Sequence, residues 1–136
     1  MCSYDLANPN IVAVTNILGG NLGWNLSATA TTTLMTVAAE KIVKINRITC
    51  ANVDGANAAD VSLFVDGLTT AGATGITPTG ASATVYLAKT VSVPADATLV
   101  ISDTPIYLME GDILKGGASA ASDLDLFISY EVLDDA

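Results

Sequence analysis

The clearest pattern along the chain is an alternation of apolar and polar positions near its C-terminus. Between Leu124 and Val132, every second residue is apolar, and the intervening positions are mostly polar. Side chains of a β-strand point alternately to the two faces of a sheet, so this period of two predicts a strand with one buried face. Phe127 lies on the otherwise polar face, where it is a candidate for contact with a partner.

A second alternating run predicts a strand around Val61, Leu63 and Val65. Polar residues occupy the intervening positions, except that Phe64 stands on the polar face. This ring is therefore a second candidate for contact with a partner surface.

Residues 42–53 also have the β-branched and apolar character of a strand, but the apolar positions change face. Ile45 belongs to one face, whereas Ile48 and Cys50 fall on the other. A bulge near Asn46 and Arg47 would return both halves to one inward face.

Shorter strands are predicted at 33–37, 84–88, 90–93, 98–102 and 106–110, and residues 113–115 extend the last of these. The Asp54-Gly55 step predicts a hairpin, and Pro94 begins a turn that ends at Ala97. Gly116-Gly117 marks a break, and residues 67–82 form a long surface loop. A helix is the alternative over 34–45, where apolar residues recur at helical spacing; the β-branched neighbours favour strands with a tight turn at 38–41.

About eight short strands at intervals of roughly 8–12 residues predict an all-β fold. The expected architecture is a two-sheet antiparallel β-sandwich, of which a jelly roll is one form. Residues 1–23 are expected to form an extended N-terminal arm, and residues 24–136 the β-sandwich domain.

The composition excludes several classes of function. With 136 residues and 51% hydrophobic residues, the chain can build one domain with a real core. Histidine is absent, which removes His-based catalytic triads and His-ligated metal sites. A net charge of −9 with five basic residues disfavours nucleic-acid binding, because phosphate contacts require clustered Lys and Arg.

The sequence predicts neither a membrane span nor an export signal. No stretch offers about 20 consecutive apolar residues, and no basic segment precedes an apolar one. A chain that matures in a reducing cytoplasm keeps its thiols free, so we expect no disulfide between Cys2 and Cys50. Cys50 is expected to pack as a small apolar side chain.

Two groups of acidic residues are candidates for chemistry, and both have simpler interpretations. Glu110 and Asp112 flank a glycine at the spacing of a carboxylate pair, a spacing that any strand provides. Asp54, Asn57 and Asp60 place oxygen atoms around a turn, as a calcium site would, but the EF-hand spacing is missing. A solvated turn or subunit contact for the first group and an Asx turn for the second are the favoured explanations, so no metal, cofactor or catalytic residue is predicted, and the chain is not expected to be an enzyme.

Trp24 stands in a segment rich in Gly and Asn, GGNLGWN. It is a candidate stacking platform for a sugar, an interface anchor, or a buried packing residue. A carbohydrate-binding or host-adhesion module is therefore an alternative function.

Three segments resemble small β-sandwich virion proteins of tailed bacteriophages. They are TTLMTVAAEK with IVKINRI at 32–48, VYLA and VPADATL at 85–88 and 93–99, and PIYLMEGDIL at 105–114. The alternating strand at 124–132 completes the pattern. The family commonly has Pro-Ala-Gly where this chain has Ala38-Ala39-Glu40. The resemblance covers residues 31–132 and implies a non-enzymatic particle component, either capsid decoration, head fibre, neck or tail-associated. A tail, neck or baseplate protein is the alternative within this class.

From this resemblance we expect a capsid decoration, or cement, protein located in the virion and assembled in the host cytoplasm. The expected partners are the major capsid protein or other virion proteins and further copies of the chain, with a trimer favoured. Neither nucleic acid nor membrane is expected as a partner. The N-terminal arm is expected to be the main adhesive element. The candidate interface residues, chosen as apolar side chains of the arm and as aromatic residues outside the predicted core, are Ile11, Val12, Val14, Ile17, Leu18, Trp24, Phe64 and Phe127.

Overall fold

The computed structural model describes residues 16–68 and 76–134. These residues form strands, turns and loops, and the described parts of the chain contain no helix. The strands are β1 (Asn16–Asn25), β2 (Thr33–Thr36), β3 (Lys41–Asn52), β4 (Ala59–Asp66), β5 (Val85–Val93), β6 (Thr98–Ser102), β7 (Ile106–Leu108), β8 (Ile113–Ala118) and β9 (Leu124–Asp134).

The strands build two antiparallel sheets. The first sheet has the order β1-β9-β3-β6, with β7 also paired to β3, and the second has the order β2-β8-β4-β5. Apart from the short β7, the strands pair from the ends of the chain inwards: β1 with β9, β2 with β8, β3 with β6, and β4 with β5. This nested pairing is the strand order of a jelly roll, and the predicted two-sheet β-sandwich is confirmed.

The core lies between the two sheets and is built from the inward faces of their strands. Ile45, Ile48 and Cys50 are all fully buried, although they do not share a simple alternation. The pairing of β3 with β9 shifts register between Ile45 and Arg47, so the predicted bulge is present. Because the extra residue re-phases the strand, both halves of β3 face the core.

The turn after β3 is not the hairpin that its Asp-Gly step predicts. β3 and β4 lie in different sheets, so this turn carries the chain across the sandwich. The buried Asn52 holds the crossing: its side-chain amide donates to the carbonyl oxygens of Asn57 and Val93, both at 2.9 Å. Local turn chemistry predicted the reversal correctly but not the sheet that the next strand joins.

The strands predicted at 84–88 and 90–93 are one strand, β5, with an irregularity between them. Thr90 has a positive φ of 47°, and the pairing of β5 with β4 shifts register in this region. The helical alternative over 34–45 is wrong, since β2 and β3 occupy these residues with a turn between them. Glu40, in that turn, has a φ of 61°.

The first sheet begins earlier than the predicted domain boundary. Residues 16–23 were expected in the arm, but they belong to β1 and pair with β9 in unbroken register. An edge strand rich in Gly and Asn shows no alternation, which is why the pattern did not reveal it. Residues 1–15 lie outside the described residues.

Gly116 and Gly117 do not form a break, because both lie inside β8. A Cβ on Gly116 would stand 2.6 Å from the carbonyl oxygen of Ser62, and one on Gly117 would collide with the backbone of Thr29. The pair is therefore required by the close approach of backbone from β4, the neighbouring strand of the same sheet, and from the segment that contains Thr29.

We expect the substitution Gly116→Ala to lower the free energy of unfolding by roughly 1–3 kcal/mol, since the new methyl group overpacks against backbone that cannot move away. Gly19→Ala is the matched control, because a Cβ there meets nothing within 4 Å. Urea unfolding of both variants checks the expectation, and equal stabilities would contradict it.

Candidate interaction surface

The predicted interface residues fall into separate regions of the sandwich. Ile17 and Phe127 lie on the outer face of the first sheet, because the register of β1, β9 and β3 puts them at positions that alternate with the core-facing ones. Leu18 and Trp24 lie on the opposite, core-facing side of β1. Phe64 belongs to the second sheet. The remaining three candidates, Ile11, Val12 and Val14, lie outside the described residues.

The strand β1 carries the most exposed apolar side chains of this set. Ile17 is 65% exposed and Leu18 is 58% exposed. Leu22, which is not among the predicted interface residues, shares the core-facing side with Leu18 and is 37% exposed. The space between the two sheets is therefore open along β1, and apolar side chains that face the core side remain in contact with solvent.

Two acidic residues of β9, the strand beside β1, are paired with lysines of β3. Lys41 Nζ lies 3.0 Å from a carboxylate oxygen of Asp134, and Lys44 Nζ lies 4.0 Å from one of Glu131. These pairs are partly exposed and add little to stability, but they offset negative charge next to β1.

Trp24 and Phe127 line one shallow depression of about 290 Å³ at the end of β1. Trp24 packs partly against the core, whereas Phe127 is 49% exposed. Asn25 and Asp125 complete the rim, and the Asn25 side-chain amide donates to Asp125 at 2.7 Å. An exposed ring beside polar side chains is an arrangement that can hold one small polar ligand.

Phe64 is buried rather than exposed, with 6% of its surface accessible. Its ring packs against Tyr86 with the ring centroids 5.0 Å apart, and Lys89 Nζ lies 5.1 Å from the centroid of Tyr86. The alternation correctly placed Phe64 away from the core, but its neighbours on that face cover it. Of these two rings, Tyr86 is the one that is half exposed to solvent.

The candidate carboxylates have structural partners in turns. Glu110 accepts a hydrogen bond from the backbone N–H of Glu40 at 3.1 Å. Asp112 is buried and accepts from the backbone N–H of Met109 at 2.8 Å. Because Gly111, with a φ of 86°, separates them in a turn, the two carboxyl groups hold backbone in place and do not face a common cleft.

The Asp54 carboxylate forms an Asx turn. It accepts from the backbone N–H of Ala56 at 2.9 Å and from the side-chain amide of Asn57 at 3.1 Å. These hydrogen bonds, the first above all, lower the pKa of Asp54. Within the described residues, no group of three or more acidic, Cys or His side chains is placed to hold a metal ion.

Cys50 is a free thiol in the core, as expected. Burial, with a smaller contribution from the charge of Asp125, raises its pKa to about 11. The thiol is therefore protonated at neutral pH and behaves as a small apolar side chain.

The carboxylate of Asp66 joins the two ends of the segment between β4 and β5. It accepts from Lys115 Nζ at 2.8 Å, from the Thr84 hydroxyl at 2.7 Å and from the Gly67 N–H at 2.9 Å. The hydrogen bond from Lys115, followed by those from Thr84 and Gly67, lowers the pKa of Asp66 from 3.8 to about 2.

Asp66→Asn should lower the melting temperature at pH 7, and this loss should shrink as the pH falls. A carboxyl group whose pKa is depressed on folding stabilises the native state fully above its unfolded pKa of 3.8, and loses that contribution as the pH falls towards about 2. Thermal melts between pH 7 and pH 2 check this, with Asp103→Asn, at an exposed aspartate, as the control. A pH-independent difference between Asp66→Asn and wild type would contradict it.

Comparisons with known proteins leave the family open. No protein-family model and no curated protein matches the chain. One solved structure, a pentameric capsid protein isolated from metagenomic phage sequences, aligns with 97% of this chain and 74% of its own, at 16% identity and a TM-score of 0.30. A similarity this low assigns neither a shared fold nor a function. No helix long and apolar enough to cross a membrane occurs among residues 16–68 and 76–134.

Proposed function

We propose that this chain is a virion structural protein of a tailed bacteriophage and acts as a capsid decoration protein. The observation that carries the proposal is the match between the phage-like segments and the fold. Residues 32–48 cover β2, a turn and the first part of β3; residues 85–88 and 93–99 cover the two ends of β5, a turn and the start of β6; and residues 105–114 cover β7, a turn and the start of β8. Each resembling segment therefore spans a turn that carries the chain from one sheet to the other.

The jelly-roll strand order is compatible with this role. Jelly rolls occur in viral capsid and lectin domains, among others, so the fold allows the proposal but does not select it. The choice depends on the resembling segments and on the exposed apolar side chains of β1.

The proposed mechanism is binding alone, with no covalent step. A protein that binds only the assembled capsid lattice stabilises that lattice by mass action. Small Ala and Thr side chains lose little rotamer entropy when they are ordered at an interface, and the chain is rich in both. The net charge of −9 suits a position outside a shell filled with nucleic acid.

We assign the capsid contact to the arm and revise its boundary to residues 1–15, since residues 16–23 belong to β1. Ile11, Val12 and Val14 are the apolar residues of this revised arm among the predicted interface residues. All three lie outside the described strands, so the melting temperature of a variant separates the role of the arm from the stability of the sandwich.

Replacing Ile11, Val12 and Val14 together by Ser should reduce occupancy on capsids about tenfold or more, because each lost 1.4 kcal/mol of binding free energy is a factor of ten. Occupancy is measured as copies per particle after purified capsids that lack the chain are incubated with it. Ile76→Ser, at an exposed apolar position outside the arm, is the control and should bind as wild type does.

Unchanged occupancy of the triple variant, with a wild-type melting temperature, would refute the role of the arm. Binding of wild type to isolated tails and not to heads would replace decoration by the tail, neck or baseplate alternative.

A carbohydrate-binding or host-adhesion module is the second candidate, and the depression beside Phe127 favours it. A sugar ring would stack on the exposed Phe127 and form hydrogen bonds with Asn25 and Asp125. Trp24 packs partly against the core, so Phe127 tests this candidate more cleanly.

If the chain binds glycans, Phe127→Ala should abolish the signal on a broad glycan array, because the stacking ring is lost. Tyr107→Ala removes another exposed aromatic residue, on a different strand, and should leave the signal unchanged. Absence of any signal from the wild-type chain would count against this function.

A further inference from the structure

Within the described residues, β1 is an edge strand of the first sheet. It pairs with β9 along all of its residues, and no other strand of the described chain pairs with it. The backbone N–H and C=O groups along its second edge therefore have no strand partner among residues 16–68 and 76–134, and such an edge is a template for adding a further strand.

The other edge strands of the sandwich have features that oppose such pairing. β2, β6 and β7 have four, five and three residues. β5 has nine residues, but it carries Lys89 and is distorted where its pairing with β4 shifts register. Short length, an edge lysine and a local irregularity are the devices by which natural sheets avoid edge-to-edge contact.

β1 has none of these features. It has ten residues, its pairing with β9 shows no register shift, and its sequence NILGGNLGWN contains no charged residue. Leu18 and Leu22, on its core-facing side, are exposed because the opposite sheet does not cover them. The edge therefore combines backbone groups that have no strand partner in the described chain with apolar side chains that are exposed to solvent.

We propose that β1 pairs antiparallel with β1 of a second copy of this chain, forming a two-fold dimer with one sheet continuous across both molecules. Antiparallel pairing of a strand with itself is two-fold by geometry, so the interface closes on itself. Of the described edge strands that a second copy could offer, its β1 is the one that equals β1 in length, regular pairing and lack of charge.

The charge distribution favours a second copy as the occupant. Two chains of net charge −9 repel each other in general, but the edge that would meet is uncharged. Of the carboxylates on the neighbouring strand β9, Asp134 and Glu131 are paired with Lys41 and Lys44, and Asp125 accepts a hydrogen bond from Asn25. These partners lower the like-charge repulsion at this edge.

The test is the mass of the full chain in solution under reducing conditions, which exclude a disulfide through Cys2. Sedimentation at a series of concentrations should show a species of twice 13.8 kDa that dissociates on dilution. Asn21→Lys places a lysine at an exposed position in the middle of β1 and should raise the dissociation constant at least about tenfold, since two ammonium groups would meet at the contact. Ser92→Lys makes the same change of charge on β5 and should leave the dimer intact.

A wild-type chain that stays monomeric at every concentration would overturn the proposal. So would a trimer, the state expected from the sequence, or a dimer that Asn21→Lys leaves unchanged. If Asn21→Lys does not fold, hydrogen exchange of the wild type decides the matter: amides of residues 16–25 should gain protection with concentration, and concentration-independent exchange would overturn the pairing. These measurements need no capsid, so their outcome is independent of the proposed virion role.

Discussion

The antiparallel pairing of β3 with β9 determines where the other parts of the first sheet lie. The two strands run together from Lys41 and Asp134 to Asn52 and Leu124, interrupted by the bulge beyond Ile45. β1 attaches to the free side of β9, and β6 and β7 attach to the free side of β3. Because the bulge keeps both halves of β3 facing inwards, one continuous core forms, and the last strand of the chain takes a central place.

The same arrangement leaves β1 at the edge. On its core-facing side, Trp24 packs against the core, whereas Leu18 and Leu22 remain exposed. Polar residues elsewhere mostly serve the fold: Asn52 holds a crossing between sheets, and Glu110, Asp112 and Asp66 hold turns and loop ends. The exposed apolar edge is therefore the part of the described molecule with the least evident structural role.

The sequence predicted those elements whose side chains alternate between core and solvent. β4, β9 and the bulge of β3 follow from the positions of Val61, Leu126 and Ile48, because burial on one face imposes a period of two. The pattern missed β1, which is exposed on both faces and carries no such signal. It also misread Gly116-Gly117 as a break, since a glycine required by close backbone approach looks the same in sequence as a glycine in a turn.

The candidate site was less predictable than the fold, because exposure depends on neighbours that the sequence does not place. Phe64 and Phe127 both stand on the outward face of an alternating strand, yet Tyr86 packs against the first and the second is open to solvent. Leu22 was not selected, although it borders the same opening as Leu18. Alternation in the sequence predicts on which face of a sheet a side chain lies. Whether that side chain is exposed depends on the order of the strands and on how far the opposite sheet extends.

We propose that this chain acts by binding to the head of a phage particle. Cryo-electron microscopy of that particle, with the sandwich fitted into the density, is the measurement that decides this role. We expect one sandwich density repeated over the outer surface of the head. Density for this chain in the tail alone, or a particle that contains no copy of it, would overturn the proposed role.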